Sequence, residues 1–210
     1  MKGKKILLTC GPTWIAIDDT RVISNRSTGE LGHLLANLAS SEGAKVTMLE
    51  GPVIHPFKNK KVKTIRFFFY DELLTRLRGE LKKDYDIVIH AAAVSDYRPA
   101  RRYGSKLSSE FSELKLTLVP TEKIINSMKK QSPNVFLVGF KLETEMNEEA
   151  LVLKAHYLLK KANCDLVVAN THRSEDYCSY IIDHDRNILS QNKSRQETAK
   201  SLINILKARV

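Results

Sequence analysis

The distribution of apolar and polar residues along the chain predicts a regular alternation of strands and helices. Short apolar runs bounded by charged or turn-forming residues have the length of buried strands, and longer segments with apolar residues three or four positions apart indicate amphipathic helices. Strands are expected at residues 4–10, 45–50, 62–69, 86–90, 114–119, 135–140 and 165–170. Helices are expected at residues 29–43, 71–83, 121–130, 147–162 and 194–207, and a closing hairpin at residues 180–183 and 187–189.

This order of elements is typical of an α/β fold with a doubly wound, mostly parallel sheet. We therefore expect a Rossmann-like arrangement of three layers with a C-terminal β-hairpin, formed by a single domain over residues 1–210. In such folds ligands bind at the carboxyl ends of the strands. The polar and small residues that could serve a ligand follow predicted strands, at residues 11–25, 91–96, 140–143 and Asn170.

Residues 18–32 join polar side chains to the start of a predicted helix. The guanidinium of Arg21 could clamp a carboxylate or phosphate, and the amide of Asn25 can both donate and accept hydrogen bonds. Ser27 and Gly29 supply a hydroxyl and a bare backbone at a helix N-terminus, which is suited to phosphate. The spacing of Ser27 and Glu30 fits a capping box at least equally well. Glu30 also places a negative charge where a phosphate would lie.

Residues 91–96 form a second candidate ligand contact after the strand at 86–90. The alanines would let a ligand approach the backbone, and Asp96 offers a carboxylate to a ribose hydroxyl or an amine. An Asx-type turn at Asp96 explains the same residues equally well. The polar, basic segment 100–113 has the length of a functional lid.

Two other nucleotide folds leave little trace in the sequence. The chain contains neither a GxxxxGK[ST] phosphate loop nor a GxGxxG turn after the first strand. Tyr157 and Lys161 have the spacing of the catalytic pair of short-chain dehydrogenases. An NAD(P)-dependent reductase is therefore an alternative hypothesis, although this pair stands alone on a predicted helix.

The net charge and the cysteine content indicate which partners and which cellular compartment to expect. Lys and Arg total 34 against 24 Asp and Glu, a net charge of +10 that favours anionic partners. The basic residues are scattered, which favours a small phosphorylated substrate over nucleic acid and leaves a nucleotide- or RNA-binding module as a non-catalytic alternative. No apolar run approaches the roughly 18 residues of a membrane span. Three cysteines without a CxxC pair, and dispersed histidines, indicate a reducing, cytoplasmic compartment and no protein-bound metal.

Taken together, the candidate segments resemble the phosphopantothenoylcysteine synthetases of coenzyme A biosynthesis. The resemblance extends in chain order over most of the sequence, and no single segment would suffice alone. Many bacterial relatives fuse this domain to a flavin decarboxylase. Since the sequence shows no such domain, the chain resembles the stand-alone form of the synthetase. The matching segments are residues 18–32, residues 91–99, Lys106 ten positions after Asp96, residues 140–144 and residues 167–170.

The resemblance implies a ligase that joins 4′-phosphopantothenate and L-cysteine. A nucleoside triphosphate, CTP or ATP, would be cleaved to the monophosphate and pyrophosphate through an acyl-nucleotide intermediate, with Mg²⁺ neutralising its phosphates. It further implies a homodimer that acts on small molecules, without nucleic acid or membrane partners. The implied catalytic residues are Asn25 and Lys106, the substrate-binding residues Arg21, Asn25, Ala92, Ala93 and Asp96, and the nucleotide-binding residues Gly11, Ser27, Gly29, Gly32, Asp96, Lys106, Phe140, Lys154, Lys161 and Asn170.

Departures from the family pattern leave the choice of nucleotide open. Bacterial CTP-dependent members carry further lysines after the Lys106 position and a Pro-Asp-Ile before the next helix. This chain has Ser108 and Ser109 there, and Glu-Lys-Ile at residues 122–124. These features and the run at 140–144 are more similar to the eukaryotic branch, which can use ATP. The lysine that would meet the phosphates aligns ambiguously among Lys154, Lys160 and Lys161.

Overall fold

The computed structural model describes residues 1–110, 112–143, 147–172 and 177–210, without the side chain of His172. Residue 144 of the predicted family run lies outside these ranges. The strands are β1 (Lys5–Cys10), β2 (Trp14–Ala16), β3 (Val22–Ser24), β4 (Lys45–Glu50), β5 (Lys63–Arg66), β6 (Ile87–His90), β7 (Tyr97–Pro99), β8 (Leu118–Pro120), β9 (Phe136–Glu143), β10 (Leu166–His172), β11 (Tyr177–Asp183) and β12 (Ile188–Asn192). The helices are α1 (Glu30–Ser41), α2 (Tyr70–Glu80), α3 (Ile125–Gln131), α4 (Glu148–Ala162) and α5 (Arg195–Arg209).

Eight strands form one central sheet in the order β12-β11-β10-β9-β6-β1-β4-β5. The pairings from β10 to β5 are parallel, whereas β11 is antiparallel to both β10 and β12. The predicted doubly wound, mostly parallel sheet with a C-terminal hairpin is therefore confirmed. Strands β1 and β6 lie near its centre and are almost fully buried, as their apolar runs predicted.

Helices cover both faces of the sheet, and each face has its own core. One core joins Leu7, Val88 and Leu137 to the buried residues of α2, α3 and α4, and we call this side the α4 face. The other joins Leu8 and Ile89 to the buried residues of α1 and α5, and we call it the α1 face. Alternate residues of the central strands thus point to opposite layers, which gives the expected three-layer arrangement.

Two small ribbons outside the main sheet were not predicted. Strands β2 and β3 pair as one antiparallel hairpin, and β7 and β8 pair as another. The expected strand at residues 114–119 is wrong in extent, because only Leu118–Pro120 is a strand and it pairs with β7. Strand β6 already has β1 and β9 as neighbours, so no position beside it remains.

The expected helix at residues 121–130 begins later than predicted, at Ile125. Thr121 is instead hydrogen-bonded to the loop after β6, through its amide to the Asp96 carbonyl at 2.9 Å. Across the described ranges, the helices are all too short or too polar to cross a membrane.

Candidate functional site

The β2–β3 hairpin lies over the carboxyl edge of the sheet on the α4 face. Ile15 and Ile23 from its two strands join the core of that face. Trp14 packs on Phe68 with ring centroids 5.4 Å apart, and the Trp14 amide donates to the Phe68 carbonyl at 2.8 Å. These contacts fix the hairpin beside the ends of the central strands, and they place Arg21 and Asn25 there.

Asn25 bonds directly to the loop that follows β6. Its side-chain nitrogen donates to the carbonyl oxygens of Ala93 and Val94, each at 3.2 Å. The Ala93 amide in turn donates to the Gly11 carbonyl at 2.9 Å. The structure therefore brings together Asn25, Ala93 and Gly11, which the sequence had assigned to one site from three separate segments.

Arg21 is held by a buried carboxylate. Its guanidinium contacts Asp18 at 2.5 Å and donates to the Leu107 carbonyl at 3.2 Å, while the Leu107 amide donates to Asp18 at 3.0 Å. The hydrogen bond from Leu107, followed by those from Thr20 and Arg21, holds the pKa of Asp18 well below its ordinary value despite burial. Sequence analysis had assigned no role to Asp18 itself, although this residue opens the 18–32 segment.

This contact anchors the backbone next to Lys106. Asp18 is fully buried at the side chain, so it anchors Leu107 and with it the loop that was expected to act as a lid. Lys106 is exposed beside this anchor, and it forms neither an ion pair nor a hydrogen bond with any described residue. A lysine so placed can reach an anionic ligand without first losing a partner.

The N-cap residue of α1 is Gly29, whose φ of 74° is left-handed, and the Glu30 amide donates to the Thr28 hydroxyl and not to that of Ser27, as a capping box would require. The capping-box alternative is therefore wrong. The Ser27 hydroxyl lies 3.4 Å from the Gly29 amide, and Glu30 instead pairs with Arg195 of α5 at 3.4 Å. This pairing accounts for Glu30, because its charge is directed at a cation on a neighbouring helix. The Glu30 amide lies 3.4 Å from the Thr28 hydroxyl, so within the described residues the amides of Leu31 and Gly32 are the ones left for an anion.

Three glycines shape this helix start. A Cβ at Gly11 or Gly29 would lie 3.0 or 2.9 Å from a methyl carbon of Val53, and both residues have positive φ. A Cβ at Gly32 would lie 2.3 Å from the Cβ of Cys10. Gly32 is therefore the position at which α1 packs against β1, and its part in binding a nucleotide would be to place the helix.

Phe140 and Asn170 lie on the α1 face at the carboxyl ends of β9 and β10. Phe140 packs against the core of that face and pairs in register with Val168, which belongs to the same core. Asn170 is two residues beyond Val168 and so points to the same side. The predicted nucleotide residues Gly29, Phe140 and Asn170 thus share one face, whereas the hairpin with Arg21 and Asn25 covers the other.

The α4 lysines lie on the α4 face, away from Phe140 and Asn170. Lys154, in the middle of α4, pairs with Glu143 at 3.0 Å. Lys161 donates to the Tyr157 hydroxyl at 3.2 Å in the last turn, and Tyr157 is 65% exposed. Because α4 runs back along the sheet from β9, Lys161 and Lys160 lie toward the opposite edge from Asn25. The structure does not bring them together with the rest of the site.

Asp96 is exposed and bound by a residue that the site prediction did not include. The Lys123 ammonium contacts its carboxylate. The hydroxyl of Thr121 also donates to the Ser95 carbonyl at 2.6 Å, so the segment before α3 is attached to the loop after β6. The Asx-turn alternative has no support here, because the Asp96 side chain is directed to Lys123 and not to its own following backbone.

Glu50, at the carboxyl end of β4, holds several elements together. Its buried carboxylate accepts from His33 at 2.6 Å, the Phe57 amide at 2.9 Å and Arg66 at 3.0 Å. Burial raises its pKa, but these hydrogen bonds and the charge of Arg66 outweigh burial and lower it. In dinucleotide folds a carboxylate near this position binds ribose. Here its oxygens are already occupied, which disfavours the reductase alternative.

Donor atoms of Cys10, His33 and Glu50 lie within 4.8 Å of one another. The group is poorly suited to a metal ion for two reasons. Burial raises the pKa of the Cys10 thiol, so the thiolate that binds metals is disfavoured. The Glu50 carboxylate already has a cation beside it in Arg66.

A separate recess of about 690 Å³ lies at the opposite end of the sheet, lined by residues that include Asp86, Lys129, Asp165 and Arg209. The carboxylates at its wall are engaged in structure, since Asp86 accepts from the Lys5 amide and Asp165 from the Leu137 amide. Ligands of α/β sheets bind at the carboxyl ends, so we place the functional site there.

Comparison with known proteins finds a family model, curated relatives and solved structures that are similar to this chain. A family model for the DNA/pantothenate metabolism flavoprotein C-terminal domain matches residues 1–209. The coenzyme A biosynthesis bifunctional protein CoaBC of Thermococcus kodakarensis is 42% identical over 175 residues, which are 81% of this chain and 42% of that protein. The chain spans about half, or less, of the length of the curated relatives it matches.

Solved structures share the fold over nearly the whole chain. The crystal structure of the DNA/pantothenate metabolism flavoprotein from Streptococcus pneumoniae has a TM-score of 0.88 at 28% identity, and the match covers 99% of this chain and 100% of that one. The Cab2 mutant H337A, in complex with phosphopantothenate-cysteine, has a TM-score of 0.77 at 18% identity and covers 99% of this chain and 89% of that one.

Proposed function

The chain belongs to the family of DNA/pantothenate metabolism flavoprotein C-terminal domains, and from this premise we propose that it is a phosphopantothenate–cysteine ligase. It would join 4′-phosphopantothenate and L-cysteine, with cleavage of CTP or ATP to the monophosphate and pyrophosphate, as a step of coenzyme A biosynthesis. The relative from Thermococcus kodakarensis carries coenzyme A biosynthesis in its name, and a neighbour in structure was solved with phosphopantothenate-cysteine bound.

The observation that carries the proposal is the hydrogen bonding of Asn25 to the Ala93 and Val94 carbonyls. It joins the hairpin on the α4 face to the central loop, directly beside the start of α1 on the other face. A carboxylic substrate held by the hairpin and a triphosphate held at α1 would therefore meet over the ends of β1 and β6. Such a meeting is what an acyl-nucleotide intermediate requires.

In the first half-reaction the substrate carboxylate attacks the α-phosphate and pyrophosphate leaves. Negative charge builds on the α-phosphate, and a cation fixed beside it lowers the barrier. We assign this role to Lys106. The α1 amides, Ser27 and Gly29 would bind the phosphates, and Gly11, Phe140 and Asn170 would line the nucleotide. Lys154 and Lys161 stay predicted contacts of the nucleotide, although both lie on the α4 face and Lys161 lies in the last turn of α4.

In the second half-reaction the amine of cysteine attacks the acyl carbon and the nucleoside monophosphate leaves. Arg21, Asn25, Ala92, Ala93 and Asp96 would hold the acyl group. Because the amide nitrogen of Asn25 already donates to the Ala93 and Val94 carbonyls, Asn25 would act by holding this loop in place beside the acyl carbon. Asp18 acts through Arg21 by fixing the guanidinium. Asp96 has an exposed carboxylate that could accept from the ammonium of cysteine or from a ribose hydroxyl.

Mg²⁺ would accompany the triphosphate and neutralise part of its charge. This ion usually keeps several waters and takes one or two carboxylates in addition to phosphate oxygens. Asp96 and Glu30 are the exposed carboxylates of the site, whereas those of Asp18 and Glu50 are buried and already bonded. The donor set fits an ion held mainly by the substrate, with Asp96 or Glu30 as its protein ligand.

The proposal is tested by pyrophosphate release, with CTP and ATP compared side by side. The purified chain with Mg²⁺ should release pyrophosphate only when 4′-phosphopantothenate is present, and with a higher rate for one of the two nucleotides. Absence of release with either nucleotide would contradict the ligase. Omission of phosphopantothenate is the control for simple nucleotide hydrolysis.

We further propose that the ligase is a homodimer that acts on small molecules alone in the cytoplasm. Sedimentation equilibrium should then give twice the chain mass of 23.8 kDa. A mass equal to that of one chain at micromolar concentration would contradict the homodimer. It would leave the ligase untouched.

A further inference from the structure

Lys123 is a cation at the proposed site to which the ligase scheme assigns no part. It lies between β8 and α3, and its ammonium contacts the Asp96 carboxylate. Both side chains are more than half exposed, at 53% for Lys123 and 60% for Asp96. The contact is therefore open to solvent and to ligands.

The backbone on both sides of Lys123 is anchored, whereas its side chain is not. Thr121 bonds to Ser95 and Asp96 through its hydroxyl and its amide. The Glu122 carbonyl accepts from the Tyr70 hydroxyl at 2.7 Å, and Ile124 is buried. The ammonium thus moves on a flexible four-carbon chain from a fixed origin.

The ion pairs of the site differ in how readily they exchange partners. Asp18, which holds Arg21, is fully buried, and Glu143, which holds Lys154, is 18% exposed. Asp96 is the most exposed of these three carboxylates, and an exposed pair contributes little to stability, ~0–1 kcal/mol. The Asp96–Lys123 pair is therefore the one that a ligand can open at least cost.

We propose that Lys123 binds a phosphate group of a substrate when the ligand takes over Asp96. A hydroxyl or ammonium group of the ligand replaces Lys123 at the Asp96 carboxylate. The released Lys123 ammonium then binds a phosphate of the same ligand or of the second substrate beside it. The inference rests on the proposed ligase for the identity of the phosphate. This is either that of the nucleotide or that of phosphopantothenate.

Calorimetric binding to wild type and to Lys123→Met tests the inference, with two matched pairs of ligands. One pair is the nucleoside triphosphate and its nucleoside, and the other is phosphopantothenate and pantothenate. Lys123→Met should lower the affinity for one phosphorylated ligand by about tenfold, as for the loss of one charge-assisted hydrogen bond. The affinity for its unphosphorylated counterpart should not change. The pair that responds identifies the phosphate. Lys83→Met is the control, because Lys83 is 55% exposed in a pair with Glu80 far from the site.

Lys123→Met in an Asp96→Asn background tests whether Lys123 binds phosphate itself or acts only through its ion pair with Asp96. The tenfold loss should persist there, and its disappearance would overturn the inference. Equal losses for phosphorylated and unphosphorylated ligands would also overturn it. If wild type forms the amide while Lys123→Met binds normally, this inference fails alone. If a phosphate-specific loss is seen in a protein that forms no amide, the ligase proposal fails alone.

Discussion

Asn25 shows how one side chain can join two parts of a site. Its amide nitrogen faces two backbone carbonyls, those of Ala93 and Val94. Only a donor fits between them. The sequence could indicate Asn25 as a candidate, but the partners of its amide lie 68 and 69 residues away and no local pattern encodes them.

Replacement of Asn25 by Asp should separate the two half-reactions. The carboxylate cannot donate to the two carbonyls, and its charge is repelled by them, so the acyl group would be misaligned for attack by cysteine. We expect a retained burst of pyrophosphate and a transfer to cysteine slowed by about tenfold or more, the cost of one misplaced polar contact. Rapid-quench analysis measures both steps. Wild-type turnover would remove Asn25 from the mechanism, and Ser24→Ala is the neighbouring control.

His90 should make stability depend on pH. Burial lowers its pKa from 6.5 to about 4, and its Nδ1 lies 2.8 Å from the Thr9 hydroxyl. Between these pH values the unfolded chain binds the proton and the folded chain does not, so stability is complete above pH 6.5 and falls as pH decreases toward 4. The loss is on the order of 3 kcal/mol.

Urea unfolding across this pH range measures the effect. The decline should be smaller in His90→Asn, which cannot titrate, and unchanged in His55→Asn, which alters an exposed histidine. An NMR signal of His90 that titrates near pH 6.5 would contradict the burial argument.

At the scale of elements, the start of α1 depends on a backbone that only glycine adopts easily. Gly29→Ala would force a Cβ into a left-handed residue and against Val53. We expect a loss of about 1–2 kcal/mol in unfolding free energy and weaker binding of the nucleoside triphosphate. Gly79→Ala in α2 is the control, because its Cβ would meet nothing within 4 Å and should stabilise the helix by about 0.5–1 kcal/mol. Equal effects would count against a special role for Gly29.

The loop that carries Lys106 should be released when its anchor is lost. Asp18→Asn removes the charge that holds Arg21 and weakens acceptance from the Leu107 amide. Trypsin should then cut more rapidly after Arg101, Arg102 or Lys106, while pyrophosphate release falls. Asp19→Asn, which changes the exposed neighbouring carboxylate, should be cleaved by trypsin at the wild-type rate. Unchanged cleavage in Asp18→Asn would show that the anchor does not hold the loop.

The long elements could be predicted from the sequence because their signals are local. The apolar run of β6 and the helical spacing of α1 reflect burial in the layers that the structure shows. The β2–β3 and β7–β8 ribbons could not be predicted, because three-residue strands carry almost no periodic signal. The start of α3 was misplaced because Thr121 is bound by a distant loop, which a local pattern cannot show.

At the scale of the whole molecule, the two faces of the sheet divide the site. The hairpin with Arg21 and Asn25 covers the α4 face, and α1 with Phe140 and Asn170 belongs to the α1 face. The resemblance had indicated an acyl side and a nucleotide side within residues 18–32, and the chain does cross from one face to the other between Asn25 and Gly29. Ion pairs such as Glu30 with Arg195 and Asp96 with Lys123 could not be predicted from the sequence, because the fold brings together residues that are distant along the chain.

The central claim is that one site activates a carboxylate with a nucleotide and passes it to cysteine. Mass spectrometry of a reaction with 4′-phosphopantothenate, L-cysteine, Mg²⁺ and CTP or ATP tests this claim most directly. We expect phosphopantothenoylcysteine and the nucleoside monophosphate in equal amounts, and no amide when any reactant is omitted. Monophosphate formed without the amide, or no product with either nucleotide, would contradict it.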